Sequence, residues 1–121
     1  MLTSMEEGST YDDALSTAQE LGYAEPDPTN DVEGLDAKYK AVILSLLCFG
    51  TSPTSEDLFT DGISGITKDD FEWAARLGKT IKLVAQIDNK NGFNARVHPV
   101  LIDTKHPLAA IRGALNAVVV E

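Results

Sequence analysis

Thr80-Ile81-Lys82-Leu83-Val84-Ala85-Gln86-Ile87-Asp88-Asn89-Lys90-Asn91-Gly92-Phe93-Asn94-Ala95-Arg96-Val97 is the stretch that decides the fold class. Its apolar period is two. Ile81, Leu83, Ala85 and Ile87 project to one side and Lys82 and Gln86 to the other, the alternation of a strand with one buried face. Asn89-Lys90-Asn91-Gly92 supplies turn chemistry, because Asn and Gly accept the left-handed backbone that a tight reversal needs. Phe93, Ala95 and Val97 then resume the alternation, so a hairpin is predicted.

Upstream of this stretch the period is helical. Thr67-Lys68-Asp69-Asp70 caps a helix through Leu77, with Phe71, Ala74, Ala75 and Leu77 as its apolar stripe and Gly78 as its stop. Residues 51–66, punctuated by Pro53, Gly62 and Gly65, read as a loop with a short helical turn at Ser55-Glu56-Asp57-Leu58. Before them a helix is predicted from about Gly34 to Phe49. It is almost wholly apolar after Lys40 and ended by Gly50, which predicts a buried central helix. Asp31 is its expected cap, and Cys48, inside the apolar run, is expected to be a buried thiol. Residues 10–21 form a further amphipathic helix, capped by Thr10 and Asp13, apolar at Ala14, Leu15, Ala18 and Leu21, and stopped by Gly22. Downstream of the hairpin, His106-Pro107 opens a helical turn ending near Gly113, and Ala117-Val118-Val119-Val120 is predicted to be a last, central strand. Helices followed by strands argue an α+β fold, a mixed or antiparallel sheet with helices packed on one face.

Composition narrows the function classes. A chain of 121 residues is expected to be one domain, 1–121, around one hydrophobic core. A net charge of −9 excludes electrostatic capture of nucleic acid, which needs clustered Lys and Arg. No apolar run is long enough to span a membrane, and Met1-Leu2-Thr3-Ser4-Met5-Glu6-Glu7 has neither the basic region nor the apolar core of a signal peptide, so a cytoplasmic protein is expected. His98 and His106 lack neighbours at metal-ligand spacing, and no metal is expected. Phe71 and Trp73 fit a core or an interface. No G-x-G-x-x-G follows a strand, so no dinucleotide site is expected within the chain.

The residues that suggest chemistry lie between 25 and 40. Glu25, Asp27, Asp31 and Glu33 place four acids in nine residues, and Pro26 and Pro28 hold this segment out of helix. Carboxylates fixed in this way beside a helix start suit an ammonium group, such as that of an amino acid, whose donors they accept without much reorganisation. Asp36 and Lys40, spaced i, i+4, project from one helix face about 6 Å apart at Cβ. Such a pair is commonly a solvated surface ion pair. Here it stands where an apolar helix meets the acidic loop, a place where a lysine proton could be used.

From Gly22-Tyr23-Ala24-Glu25-Pro26-Asp27-Pro28-Thr29-Asn30-Asp31-Val32-Glu33-Gly34-Leu35-Asp36-Ala37-Lys38-Tyr39-Lys40 the chain is similar to the signature region of homoserine dehydrogenases. The resemblance continues through Phe59-Thr60-Asp61-Gly62-Ile63-Ser64-Gly65-Ile66, Lys79 to Leu83, Ala95 to Pro99, His106 to Ala109 and Gly113 to Val118, nearly the whole chain. It implies NAD(P)H-dependent interconversion of L-aspartate 4-semialdehyde and L-homoserine, on the route to threonine, methionine and isoleucine. It also implies that Glu25 and Asp31 bind the substrate amino group, that Tyr23 lines the same pocket, and that Asp36 and Lys40 stand beside the reacting oxygen, with Lys40 giving its proton to the developing alkoxide. The family places a Rossmann domain before this region. The chain is accordingly expected to be the substrate-binding and dimerisation domain without its nucleotide domain, inactive alone, holding no NAD(P)H by itself, and a homodimer. The competing expectation is a standalone acidic dimerisation or interaction module that kept the fold without the catalysis.

Overall fold

The computed structural model describes residues 1–121, except for the side chain of Ser55. Five α-helices and three strands follow one another as α1 (Leu2–Glu6), α2 (Tyr11–Glu20), α3 (Thr29–Val32), α4 (Leu35–Phe49), β1 (Phe59–Thr60), α5 (Lys68–Arg76), β2 (Lys79–Asp88) and β3 (Asn94–Asp103), with 3₁₀ turns at Ser55–Asp57 and Pro107–Ala110. The fold is α+β. In the sheet β3 lies between β1 and β2. A connection of residues 89–93 is too short for anything but an antiparallel return, whereas β1 runs parallel to β3, with Phe59 opposite Arg96 and Thr60 opposite Val97. The predicted hairpin is present and longer than its alternation indicated, since β3 continues through Pro99 to Asp103.

The chain divides into two compact units, and its buried apolar residues fall into two clusters rather than the single core expected. The first unit comprises Met1–Pro26, Gly65–Lys82 and Val100–Glu121. Here Met5 of α1, Ala14 of α2, Phe71 and Ala74 of α5 and Ile81 of β2 pack together. The helix starts are fixed as predicted. Thr10 Oγ1 accepts from the Asp13 N–H at 3.2 Å, and Thr67 and Asp70 complete a reciprocal capping box. Residues 111–113 are tied to α1 and β2 by polar contacts: Arg112 to Glu6 at 3.1 Å and Glu7 at 3.2 Å, Lys82 Nζ to the Ile111 carbonyl at 2.8 Å, and the Gly113 N–H to Thr3 Oγ1 at 3.0 Å. Burial lowers the Lys82 pKa, partly offset by the charge of Glu6. The predicted last strand is not formed. Residues 114–121 are exposed and unpaired in any sheet, because β-branched residues give a strand only where a neighbouring edge accepts their ladder. Trp73 and Leu77 also lie outside the core. Trp73 instead carries the Arg76 guanidinium over its ring, 4.6 Å from the centroid.

The second unit comprises Asp27–Ser64 and Leu83–Pro99. Its centre is Ala41, Leu58, Ala95 and Val97, with Ala37, Val42, Leu83, Ile87 and Phe93 packed around them. α4 is not a fully buried helix. Its inner face is made of small residues, Ala37, Ala41 and Ser45, whose hydroxyl is satisfied by the Ala41 carbonyl at 2.7 Å. The large residues at i, i+4, i+7 and i+8, namely Tyr39, Ile43, Leu46 and Leu47, face outward, with Ile43 59% and Leu47 75% exposed. Cys48 is likewise exposed rather than a core thiol: it lies on the Ala41–Ser45 face, but the last turn of α4, residues 46–49, is uncovered. The segment 51–66 contains one element that punctuation hid, the strand β1.

Candidate active site

Asp31 does not cap α4. It lies in the first turn of the separate short helix α3, and Gly34, with φ +76°, is the N-cap residue of α4. The reason is local. Asp27 Oδ1 accepts from both the N–H and the hydroxyl of Thr29, at 3.2 and 2.6 Å, and this turn starts α3 directly after Pro28. Those two donors also hold the Asp27 carboxyl below its ordinary pKa, the Thr29 hydroxyl contributing most. Two residues, Glu33 and Gly34, then separate α3 from α4.

On α4, Asp36 and Lys40 meet as the spacing predicted. Lys40 Nζ donates to Asp36 Oδ2 at 2.6 Å, with the side chains 54% and 57% exposed. Among the described residues no hydrogen bond joins the Asp31 carboxylate to this pair, but Asp31 belongs to the same unit and is carried by the adjoining helix, half-buried. Tyr23 and Glu25 belong to the other unit. Their segment is folded back on the end of α2: the N–H groups of Tyr23 and Ala24 donate to the Ala18 carbonyl at 2.8 and 3.1 Å, and Gln19 Nε2 donates to the carbonyls of Glu25 and Pro26 at 3.0 and 3.3 Å. The backbone there is fixed while the Tyr23 ring and the Glu25 carboxylate remain exposed. Within the second unit, Asp31 on α3 is a carboxylate able to accept from an ammonium group, and Lys40, already donating to Asp36, is able to donate to an oxygen.

Sequence reasoning assigned no role to Asp27 beyond general acidity, although Asp two residues before a Thr is the signature of an Asx turn. It also read Gly62 as loop punctuation. In the structure Gly62 is buried, and nothing in the sequence distinguishes such a glycine from one in an open loop.

The first turns of α2, α4 and α5 carry Asp12 and Asp13, Asp36, and Asp69 and Asp70, whose charges oppose a pyrophosphate. Among the described residues no group of three His, Cys, Asp or Glu is placed to hold a metal ion, and no helix is long and apolar enough to cross a membrane.

The family model for homoserine dehydrogenase matches residues 1–121. The homoserine dehydrogenase of Mycobacterium leprae is 49% identical over 120 residues, a match that takes in 94% of this chain and 27% of that enzyme. The crystal structure of Staphylococcus aureus homoserine dehydrogenase at pH 7.5 superposes with a TM-score of 0.87 at 48% identity, over 90% of this chain and 29% of that one. A hyperthermophilic archaeal homoserine dehydrogenase in complex with NADPH is more distant, with a TM-score of 0.69 and 34% identity over 88% of this chain and 29% of its own. The chain belongs to the homoserine dehydrogenase family, and it spans between a quarter and a third of the length of these relatives.

Proposed function

We propose that these residues form the substrate-binding and dimerisation domain of a cytoplasmic homoserine dehydrogenase, acting in the NAD(P)-dependent interconversion of L-aspartate 4-semialdehyde and L-homoserine. In this reading Glu25 and Asp31 hold the substrate ammonium, Tyr23 lines the pocket beside Glu25, and Lys40 serves the oxygen that is carbonyl in one partner of the reaction and hydroxyl in the other. Lys40 protonates that oxygen in the reductive direction and accepts its proton in the oxidative one. Asp36 orients the ammonium of Lys40 through their 2.6 Å contact, leaving its other donors for the substrate. That contact, at the start of the helix next to Asp31, is the observation that carries the reading. NAD(P)H is held by residues outside these 121, in keeping with the carboxylates at the helix starts here, and the chain has no dehydrogenase activity of its own.

The test is an exchange. The corresponding region of the Staphylococcus aureus enzyme is replaced by this chain, and NADPH oxidation with L-aspartate 4-semialdehyde is followed at 340 nm. Turnover within about tenfold of the parent supports the proposal, whereas a folded, NADPH-binding chimera with no turnover would sink it.

A further inference from the structure

We infer that Gly62 is a positioning residue for the site, setting where Asp31 stands relative to Lys40 because its missing side chain lets the β1 loop clamp the turn between α3 and α4. The inference rests on the reading of Asp31 and Lys40 given above. The loop is anchored at one end to the sheet, where the Asp61 N–H donates to the Val97 carbonyl at 2.8 Å. At its other end the Ile63 N–H donates to the carbonyl of Val32, the last residue of α3, at 2.7 Å. Between these bonds Gly62 is pressed against the turn. A Cβ there would lie 2.3 Å from the Val32 carbonyl oxygen and 2.5 Å from Glu33 Cα, distances that real Cβ atoms do not adopt. Both obstacles are backbone, so the conflict is relieved only by moving the loop or the turn. The loop is held by the sheet. The turn therefore yields, and it joins the helix carrying Asp31 to the helix carrying Asp36 and Lys40. Gly34 completes the clamp: its φ is +76°, and a Cβ on it would stand 3.4 Å from Val97 and 3.5 Å from the Asp61 carbonyl.

A displacement of the order of 1 Å between two groups that hold one small substrate weakens binding and misaligns the reaction. In the exchanged full-length enzyme, Gly62→Ala is expected to raise KM for L-homoserine about tenfold, as loss of a charge-assisted contact to the ammonium does. A purely structural role is separated by a double-mutant cycle with Asp31→Asn. If Gly62 acts through Asp31, then Gly62→Ala raises KM less than about twofold in the Asp31→Asn background. Should Gly62→Ala fail to fold, Gly34→Ala, whose Cβ makes only ordinary contacts but whose φ of +76° strains any L side chain in the same turn, is carried through the same cycle with the same expectation. Unchanged KM in a folded Gly62→Ala enzyme, or an equal penalty with and without Asp31, overturns the inference. An Asp31→Asn enzyme with unchanged KM overturns the site assignment, and the inference with it.

Discussion

Under the proposed function, replacing Lys40 with Ala separates chemistry from folding, because very different magnitudes are expected for the two. The Asp36–Lys40 contact is short, 2.6 Å, but more than half of each side chain faces solvent, at 57% and 54%. An i, i+4 pair in that setting contributes about 0.3–0.5 kcal/mol, and Lys40 itself is exposed, so the stability cost is expected to stay within about 1 kcal/mol. Catalysis is another matter. A positioned acid or base is worth roughly 10²–10⁴-fold in rate, about 3–5 kcal/mol of barrier, and is felt mainly in kcat because the charge it meets develops only in the transition state. Glu25→Ala is the contrast. The substrate ammonium is charged throughout, so this change should act more on KM. Both variants would be made in the exchanged full-length enzyme, with steady-state kinetics on L-homoserine and urea melts on the same preparations. A Lys40→Ala enzyme that keeps near-normal kcat but loses several kcal/mol of stability would refute the reasoning, and would make the pair a structural contact.

Three further outcomes are expected. The isolated chain should bind no NADPH, and a fluorescence titration giving a micromolar Kd would contradict the assignment of the cofactor to residues outside it. Hydrogen bonds hold Asp27, Asp57 and Asp70 below their ordinary value of 3.8, through Thr29, Thr54 and Thr67 respectively. The folded chain therefore binds fewer protons than the unfolded one below that value, so its melting temperature should hold from neutral pH to about 5 and drop as these carboxylates protonate, with a shallower drop for Asp70→Asn. The chain should also be a homodimer under the proposed function, and sedimentation equilibrium showing only a 13.0 kDa species at tens of micromolar would count against it.

The parts of the fold legible in the sequence are those fixed by local rules. Thr10 and Thr67 begin their helices, Gly50 ends α4, and the alternation from Ile81 to Val97 gives the hairpin, because capping and strand period act within a few residues. What failed depended on distant partners. Hydropathy put all of residues 41–49 inside, yet an apolar residue is buried only where something covers it, and among the described residues α4 is covered mainly on the side of Ala37, Ala41, Val42 and Ser45. Ala117 to Val120 has strand residues and no ladder partner. At the site the Asp36–Lys40 spacing translated directly into contact, since i, i+4 geometry is a property of any helix. Gly34 as hinge and Gly62 as clamp were invisible, because both depend on how closely separate segments approach.

The exposure of the Asp36–Lys40 pair has a consequence for where the chemistry can occur. At more than half exposure on each side chain, water screens the pair, and two unit charges near contact in bulk water interact by only about 1 kcal/mol. A lysine that stabilises a developing alkoxide gains far more when the site is dry and its dipoles are fixed beforehand. The α3–α4 arrangement supplies the fixing: Asp27 starts α3, the Ile63 bond holds the end of α3, and Asp36 holds Lys40. It does not supply the drying. The outward apolar residues of the same helix, Ile43, Leu46 and Leu47, are likewise without cover among the described residues. Under the proposed function, both deficits are met when substrate and the rest of a dehydrogenase close over this helix. The kinetic effect of Lys40→Ala should then appear in the assembled enzyme, while its small effect on stability should already be measurable in these 121 residues alone.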